Sequence, residues 1–224
     1  MGKTSTNGAK AATLFDLDGV LVDSESQYTI CWDAINKVYP TGIADFARRI
    51  KGTTLTNILS TYFDPSVHED IIRRLDEFER NMHYDIKPGV LPLLSRLREL
   101  KIPVAMVTSS NDEKMRRLWE HQAGLRQYFD HIVTADMMHR SKPDPEGYLI
   151  GAKLCGVSPT HCAVFEDSLQ GVHAGHAAGA YVVGITGTVE TEALRESADT
   201  IVDTLENFDI DALLAILENR NISA

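Results

Sequence analysis

Ala11-Ala12-Thr13-Leu14-Phe15-Asp16-Leu17-Asp18-Gly19 is the stretch on which the fold of this chain turns. Ala11 to Asp16 is a short, largely apolar run with turn residues after it, the pattern of a buried strand. Similar runs recur at Ile102–Val107, His131–Thr134, Cys162–Phe165, Tyr181–Ile185 and Thr200–Val202. Each is short and rich in Val, Ile or aromatic residues, as strands covered on both faces tend to be. Helical patterns lie between most of them, at Val90–Leu100, Asp112–His121, Pro145–Cys155, Ser168–Ala178 and Thr188–Ser197. Such alternation predicts an α/β protein, a doubly wound parallel sheet with helices on both faces.

The alternation breaks once. Between Ser24 and Ile86 no run reads as a strand, and four helical patterns appear instead: Ser24–Val38, Ile43–Ile50, Leu55–Tyr62 and Val67–Tyr84. Pro40, the Gly52-Thr53-Thr54 segment and the Asp64-Pro65 turn separate them. The expected organisation is therefore a helical domain over 22–87, inserted into an α/β core made of 11–21 and 88–224. A closing helix at about Asp209–Leu217 packs back on that core. Residues 1–10, MGKTSTNGAK, read as a disordered polar tail.

Composition narrows the function classes. The chain has 224 residues, 43% hydrophobic and 24% charged, ordinary for a globular protein able to bury a core without staples. Its formal net charge of −10 argues against nucleic acid as a partner, because a phosphate backbone demands an excess of Lys and Arg. A small anionic substrate is compatible with that charge, since a local cation cluster or a bound divalent metal reverses the local field. No apolar stretch approaches the roughly 20 residues of a membrane span, so no membrane partner is expected. Cys31, Cys155 and Cys162 form neither a disulfide framework nor a zinc pattern, and a cytoplasmic, reducing location is the expectation. No obligate protein partner is evident.

Sheets of this type bind ligands beyond the carboxyl ends of their strands. The first strand ends at Asp16-Leu17-Asp18, the second at Thr108-Ser109-Ser110-Asn111, and the fourth at Glu166-Asp167. The loop after the third carries Ser141-Lys142-Pro143. Asp16, Glu166 and Asp167 make a hard, oxygen-rich site suited to Mg²⁺. Lys142 holds Asp16 ionised and neutralises a phosphoryl oxygen, to which Thr108 donates a hydrogen bond. A carboxylate such as Asp16 attacks phosphorus to give an aspartyl-phosphate. Asp18, two positions on, reaches the leaving oxygen, protonates it and later deprotonates the attacking water.

Taken in order, Asp16-Leu17-Asp18-Gly19-Val20, Val107-Thr108-Ser109-Ser110, Ser141-Lys142-Pro143-Asp144-Pro145 and Phe165-Glu166-Asp167-Ser168-Leu169-Gln170-Gly171 resemble the four motifs of the haloacid dehalogenase superfamily. The helical insert and the helix carrying Gly171, Gly175 and Gly179 resemble its β-phosphoglucomutase-like branch, where the insert is a cap. The resemblance implies a Rossmann-like core with strand order 5-4-1-2-3. It implies Asp16 as nucleophile and Asp18 as acid/base, with the Asp18 backbone carbonyl also on the metal. Thr108 and Lys142 hold the phosphoryl group, joined by Ser109, and Glu166 and Asp167 are the metal-side acids. Lys51, Ser110 and Asn111 are the candidate substrate contacts.

Position 18 narrows the reaction. Superfamily members that dehalogenate lack this aspartate and ion-pumping members carry threonine, so Asp18 points to a phosphatase or a phosphomutase. A mutase must hold a second phosphate in the cap. The mutases resembling this chain carry an arginine where Leu55 follows Lys51-Gly52-Thr53-Thr54, and a histidine where Tyr28 stands. Leucine cannot bind phosphate. The expectation is a Mg²⁺-dependent phosphatase of a small sugar or polyol phosphate, with a β-phosphoglucomutase-type mutase as the alternative. A non-catalytic phospho-aspartate signalling module comes last, because such modules have neither the second aspartate nor the helical insert.

Overall fold

Six short strands form the centre of the molecule because their side chains are apolar on both faces of the sheet. They are β1 (Ala12–Phe15), β2 (Val104–Val107), β3 (His131–Val133), β4 (Cys162–Glu166), β5 (Tyr181–Ile185) and β6 (Thr200–Val202). This computed structural model describes residues 10–220, so the expected tail, apart from Lys10, lies outside the described residues. Strand order is β3-β2-β1-β4-β5-β6 and every pairing is parallel. The chain steps outward one way from β1 to β3, then returns to β4 and steps the other way. The switch point therefore falls between β1 and β4, where Phe15 faces Phe165 in register. That is where an open parallel sheet leaves a crevice for a ligand. The order contains the expected 5-4-1-2-3 arrangement, with β6 as an added edge.

Alternation along the strands divides the core into two layers. Phe15, Met106, Phe165 and Val183 point to one face. There they meet Val90, Leu94 and Leu97 of α5 (Val90–Glu99) and Leu213 and Leu217 of α10 (Ile210–Asn219). The Phe15 and Phe165 rings stack at 4.3 Å, tying the two switch-point strands together. Leu14, Val107, Val164 and Val182 point to the other face. Tyr148 and Ala152 of α7 (Glu146–Leu154), Val172 of α8 (Leu169–Ala177) and Leu194 of α9 (Thr191–Ser197) cover them. Burial of each such large side chain is worth about 1.5–3 kcal/mol.

The insert after β1 is helical throughout: α1 (Glu25–Val38), α2 (Phe46–Arg49), α3 (Leu55–Tyr62) and α4 (His68–Asn81). It has an apolar cluster of its own, in which Trp32, Ile35, Phe46, Ile58, Leu59, Ile71 and Leu75 are buried together. Two expected helices are shorter than the periodicity suggests. The pattern over Ile43–Ile50 yields only one turn, because the backbone turns left-handed at Gly42 (φ +71°) and again at Asp45 (φ +51°). The pattern over Thr188–Ser197 starts at Thr191, since the Thr188 hydroxyl is donated to Asp167 instead. Among the described residues no helix is long and apolar enough to cross a membrane.

Candidate active site

The strand ends bring the acids together. The Asp16 N–H donates to the Phe165 carbonyl at 3.0 Å, locking the end of β1 to β4 and setting its carboxylate beside those of Glu166 and Asp167. One oxygen from each of these three buried residues lies within 4.8 Å of the others. Lys142, on the loop between β3 and α7, is 2% exposed and reaches into this group. Its Nζ donates to Asp16 Oδ1 and to Glu166 Oε1, both at 2.6 Å. The Tyr148 hydroxyl also donates to Glu166 Oε1, at 2.6 Å. Glu166 Oε2 accepts from the Asp167 N–H, the Ser168 N–H and the Ser168 hydroxyl, at 3.1, 3.3 and 3.0 Å. Both oxygens of Glu166 are thus committed to protein donors. Asp167 accepts from Thr188 through Oδ2.

Two glycines make room for these carboxylates. A Cβ on Gly171 would lie 1.8 Å from Glu166 Oε1. A Cβ on Gly19, whose φ is +75°, would lie 1.7 Å from Asp167 Oδ2. Only glycine satisfies both the left-handed backbone and that approach.

Electrostatically the cluster lacks positive charge. Burial pushes Asp16 up to about 8, against the pull of Lys142 and with the added repulsion of Glu166 and Asp18. Asp167 is driven well above the carboxylate range by burial, and then by Glu25, Glu166 and Asp16. Burial works against the Lys142 ammonium, but Asp16 and Glu166 outweigh it and raise its pKa. Crowded hard oxygens that cannot all ionise on their own are the donor set a divalent cation satisfies. The buried acidic cluster therefore fits a metal.

Asp18 is wired differently. Ser24 donates to its Oδ1, and Ser110 and Lys114 donate to its Oδ2 at 3.1 and 2.6 Å. Burial alone would raise its pKa. The Lys114 charge, with hydrogen bonds from Lys114, Ser24 and Ser110, brings it below the ordinary value.

Above these groups lies a cavity of about 1140 Å³ between the core and the insert. Asp16, Asp18, Asp167, Ser109, Ser110 and Asn111 line it from the core, and Lys51 lines it from the insert. Thr108, Lys142 and Glu166 stand behind that lining, almost fully buried. The Thr108 Oγ1 accepts the Ser110 N–H at 3.0 Å, which shapes the turn after β2. Asn111 caps α6 (Asp112–His121), its Oδ1 accepting the Lys114 N–H at 2.9 Å. The Ser109 hydroxyl donates across the cavity mouth to the Gly52 carbonyl at 2.7 Å, a direct tie between core and insert. Lys51 Nζ lies 2.6 Å from Glu25 Oε2 and is 8% exposed.

A family model described as haloacid dehalogenase-like hydrolase matches residues 11–179, the segment that carries every one of these acids. The chain is a haloacid dehalogenase-like hydrolase. Hexitol phosphatase A of Escherichia coli (strain K12) is 32% identical to this hydrolase over 202 residues, covering 88% of this chain and 92% of that protein. The phosphorylated carbohydrates phosphatase of Thermotoga maritima is 32% identical over 183 residues, covering 75% and 81%. In fold the hydrolase is similar to β-phosphoglucomutase from Clostridium difficile, with a TM-score of 0.76 at 24% identity over 96% of this chain and 99% of that one. With phosphatases as its curated relatives, this haloacid dehalogenase-like hydrolase is an enzyme, a phosphoric monoester hydrolase.

Several side chains at the site have no place in the four motifs. Ser24 and Lys114 hold Asp18, Tyr148 holds Glu166, Thr188 holds Asp167, and Glu25 holds Lys51. Lys114 left a trace in the sequence. The buried face of α6 consists of Lys114, Met115, Arg117 and Leu118, so two cations interrupt its apolar stripe. Buried cations demand a partner, and that demand marks them for attention.

Proposed function

We propose that this hydrolase is a Mg²⁺-dependent phosphatase of small sugar or polyol phosphates, acting through a phosphoryl group carried on Asp16. The observation that carries the reading is Lys142 bridging Asp16 and Glu166 beside Asp167, at the floor of a cavity that also receives Asp18. The side chains of Asp16 and Asp167, with the Asp18 backbone carbonyl, are the groups that would hold the cation. When bound, it supplies positive charge to the phosphoryl oxygens and to these acids. Five protein donors on Glu166 support its acting beside the metal, as the anchor of Lys142.

Asp16 attacks phosphorus as the bond to the leaving oxygen breaks, giving an aspartyl-phosphate. Lys142 neutralises a phosphoryl oxygen, while the Thr108 hydroxyl and the Ser109 backbone N–H, whose own hydroxyl serves the Gly52 carbonyl, donate hydrogen bonds to the group. Asp18 gives a proton to the leaving oxygen, then takes one from the water that cleaves the intermediate. Residues 22–87 serve as a cap that keeps bulk water from the site, with Lys51, Ser110 and Asn111 at the leaving-group side.

Hydrolysis is favoured over mutase chemistry by the roof of the cavity. Among the described residues lining it from the insert, Lys51 is the one cation, and Glu25 already neutralises it. Leu55, also in the lining, offers no grip on a second phosphate. The names of the curated relatives, hexitol phosphatase A and phosphorylated carbohydrates phosphatase, support a sugar or polyol phosphate as substrate. The three free cysteines and the acidic net charge support a cytoplasmic location.

The test is phosphate release from a panel of sugar, polyol and nucleotide phosphates, with Mg²⁺ and with EDTA, beside Asp16→Asn. Release that needs Mg²⁺ and is lost in the variant supports the reading. Conversion of β-glucose 1-phosphate to glucose 6-phosphate without net release replaces it with the mutase.

A further inference from the structure

The charged chain that ends on Asp18 runs well beyond the motifs. Lys114 is 3% exposed and lines the cavity. On one side its Nζ donates to Asp18 Oδ2 at 2.6 Å. On the other it sits 4.3 Å from the centre of the Tyr28 ring, as a cation over an aromatic face. The Tyr28 hydroxyl donates to Glu79 Oε1 at 2.9 Å, and Arg117 donates to Glu79 Oε2 at 3.0 Å. Arg117 also binds Asp76 and Glu113. The ammonium is therefore fixed from both sides, and the ring that backs it is fixed in turn.

An ammonium taken out of water costs several kcal/mol unless good geometry offsets it. Asp18 already accepts from two hydroxyls, Ser24 and Ser110, so satisfying its hydrogen bonds does not by itself require a buried cation. What Lys114 adds is direction. The three donors on Asp18 come from three places: Ser24 leads into α1, Ser110 belongs to the loop after β2, and Lys114 belongs to α6. Ser24 holds one carboxylate oxygen while Ser110 and Lys114 hold the other, which fixes rotation of the group at the cavity wall.

We propose that Lys114 is a positioning residue for phosphoryl transfer, its ammonium held against the Tyr28 ring so that the Asp18 carboxylate is presented to the leaving oxygen in a single orientation. The inference rests on the phosphatase reading and on Asp18 as the group that serves the leaving oxygen. As the bond from phosphorus to the leaving oxygen breaks, that oxygen takes a proton from Asp18 in its acid form, which Asp18 regains from the water that cleaves the aspartyl-phosphate, and an Asp18 turned away can neither deliver nor recover it.

The test exploits leaving groups of different need. p-Nitrophenolate departs without a proton, whereas the alkoxide of glycerol 1-phosphate requires one. The full chain with Mg²⁺ is assayed on both esters as wild type, Asp18→Asn, Lys114→Met and Lys114→Arg. A positioned general acid is worth about 10²–10⁴-fold, so Lys114→Met is expected to lose about 100-fold in kcat on glycerol 1-phosphate. Its loss on p-nitrophenyl phosphate is expected to be at least about tenfold smaller, with KM within about threefold on both esters. Asp18→Asn shows the same bias more strongly, and Lys114→Arg recovers part of the alkyl rate. Should Lys114→Met fail to melt cooperatively, Tyr28→Leu, which removes the ring behind the ammonium, must show the same bias. Equal losses on the two esters, or a loss confined to KM, overturn the proposal. A bias in Asp18→Asn that is missing in Lys114→Met overturns Lys114 alone and leaves the phosphatase reading standing. A wild type that releases phosphate from neither ester nor any of the panel overturns both.

Discussion

The floor and the roof of the cavity are built on different rules. On the floor, Asp16, Glu166 and Asp167 sit at strand ends, and backbone pairing fixes their positions before any side chain is chosen. Their ionic partner Lys142 is committed to two of them at once. On the roof, Glu25 and Tyr28 project from α1, Glu79 from α4 and Lys51 from the turn after α2, and the arrangement of these helices depends on the packing of Trp32, Phe46, Ile58 and Ile71. A change on the floor alters charge in a buried, crowded site. A change on the roof alters what fits above it. The proposed mechanism assigns chemistry to the sheet and selectivity to the insert, and substitutions on either side test that division in different ways.

The largest effect is expected at the floor's centre. Asp16→Asn removes the carboxylate proposed as nucleophile and should cut phosphate release by at least about 10⁴-fold, with cooperative unfolding kept. A residual rate within about a hundredfold of wild type would move the nucleophile elsewhere. The same variant reports on the site's missing charge. With EDTA present, folded Asp16 keeps its proton to about pH 8, while the unfolded chain loses it in the ordinary carboxylate range. Unfolding therefore releases a proton between those limits, and wild-type stability falls as pH rises, by at most about 1.4 kcal/mol per unit. The Asn variant lacks this term. Its stability advantage, measured by urea unfolding, should grow from about pH 5 to about pH 8 and then level off. A flat difference would show that Lys142 already balances the acids without a metal.

Lys142→Met should rank second in size. It removes the cation that bridges Asp16 and Glu166, and breaking a buried ion pair costs about 3–5 kcal/mol. Urea unfolding would show the loss, and kcat should fall about 10²–10³-fold with it. Gly19→Ala is subtler, because it forces a Cβ against Asp167 without altering any charge. The Mg²⁺ concentration for half-maximal activity should rise about 10–100-fold, as for other changes just outside a metal's ligands. If saturating Mg²⁺ does not restore the rate, the glycine serves the backbone turn rather than the metal-side acid.

The sequence discloses the floor far better than the roof, for a physical reason. A strand end is set by local pattern, and short apolar runs leading into Asp16-Leu17-Asp18 or Glu166-Asp167 announce both the strand and the acids at its end. The six strands accordingly fall where the runs predict. The supports of the floor are harder to find. Tyr148 lies inside the helical pattern Pro145–Cys155 and Thr188 opens the one at Thr188–Ser197, yet both hydroxyls donate to acids at the end of β4. On the roof, the pairing of Lys51 with Glu25 joins residues that no local periodicity relates. Helix patterns give α1 and α3 well, but they cannot show the left-handed turn at Asp45 that cuts α2 to four residues.

Glu25→Gln sharpens the division most gently. The substitution keeps size but removes the charge that neutralises Lys51. Burial already works to raise the Glu25 pKa, with Lys51 opposing it, so the pair holds together by mutual need rather than by exposure to water. Released from its partner, the Lys51 ammonium faces the cavity as a free cation. A substrate bearing a second phosphate should then gain relative to its monophosphate by about 1 kcal/mol, or about fivefold in kcat/KM, the scale of one partly screened ion pair. The gain should shrink at high salt, because such attraction is screened. Hydrolysis of p-nitrophenyl phosphate, which puts no second charge near the roof, should change by less than about threefold. A large loss on every ester would mean that Glu25 works with the floor. That outcome would break the separation, since Glu25 also contributes to the raised pKa of Asp167.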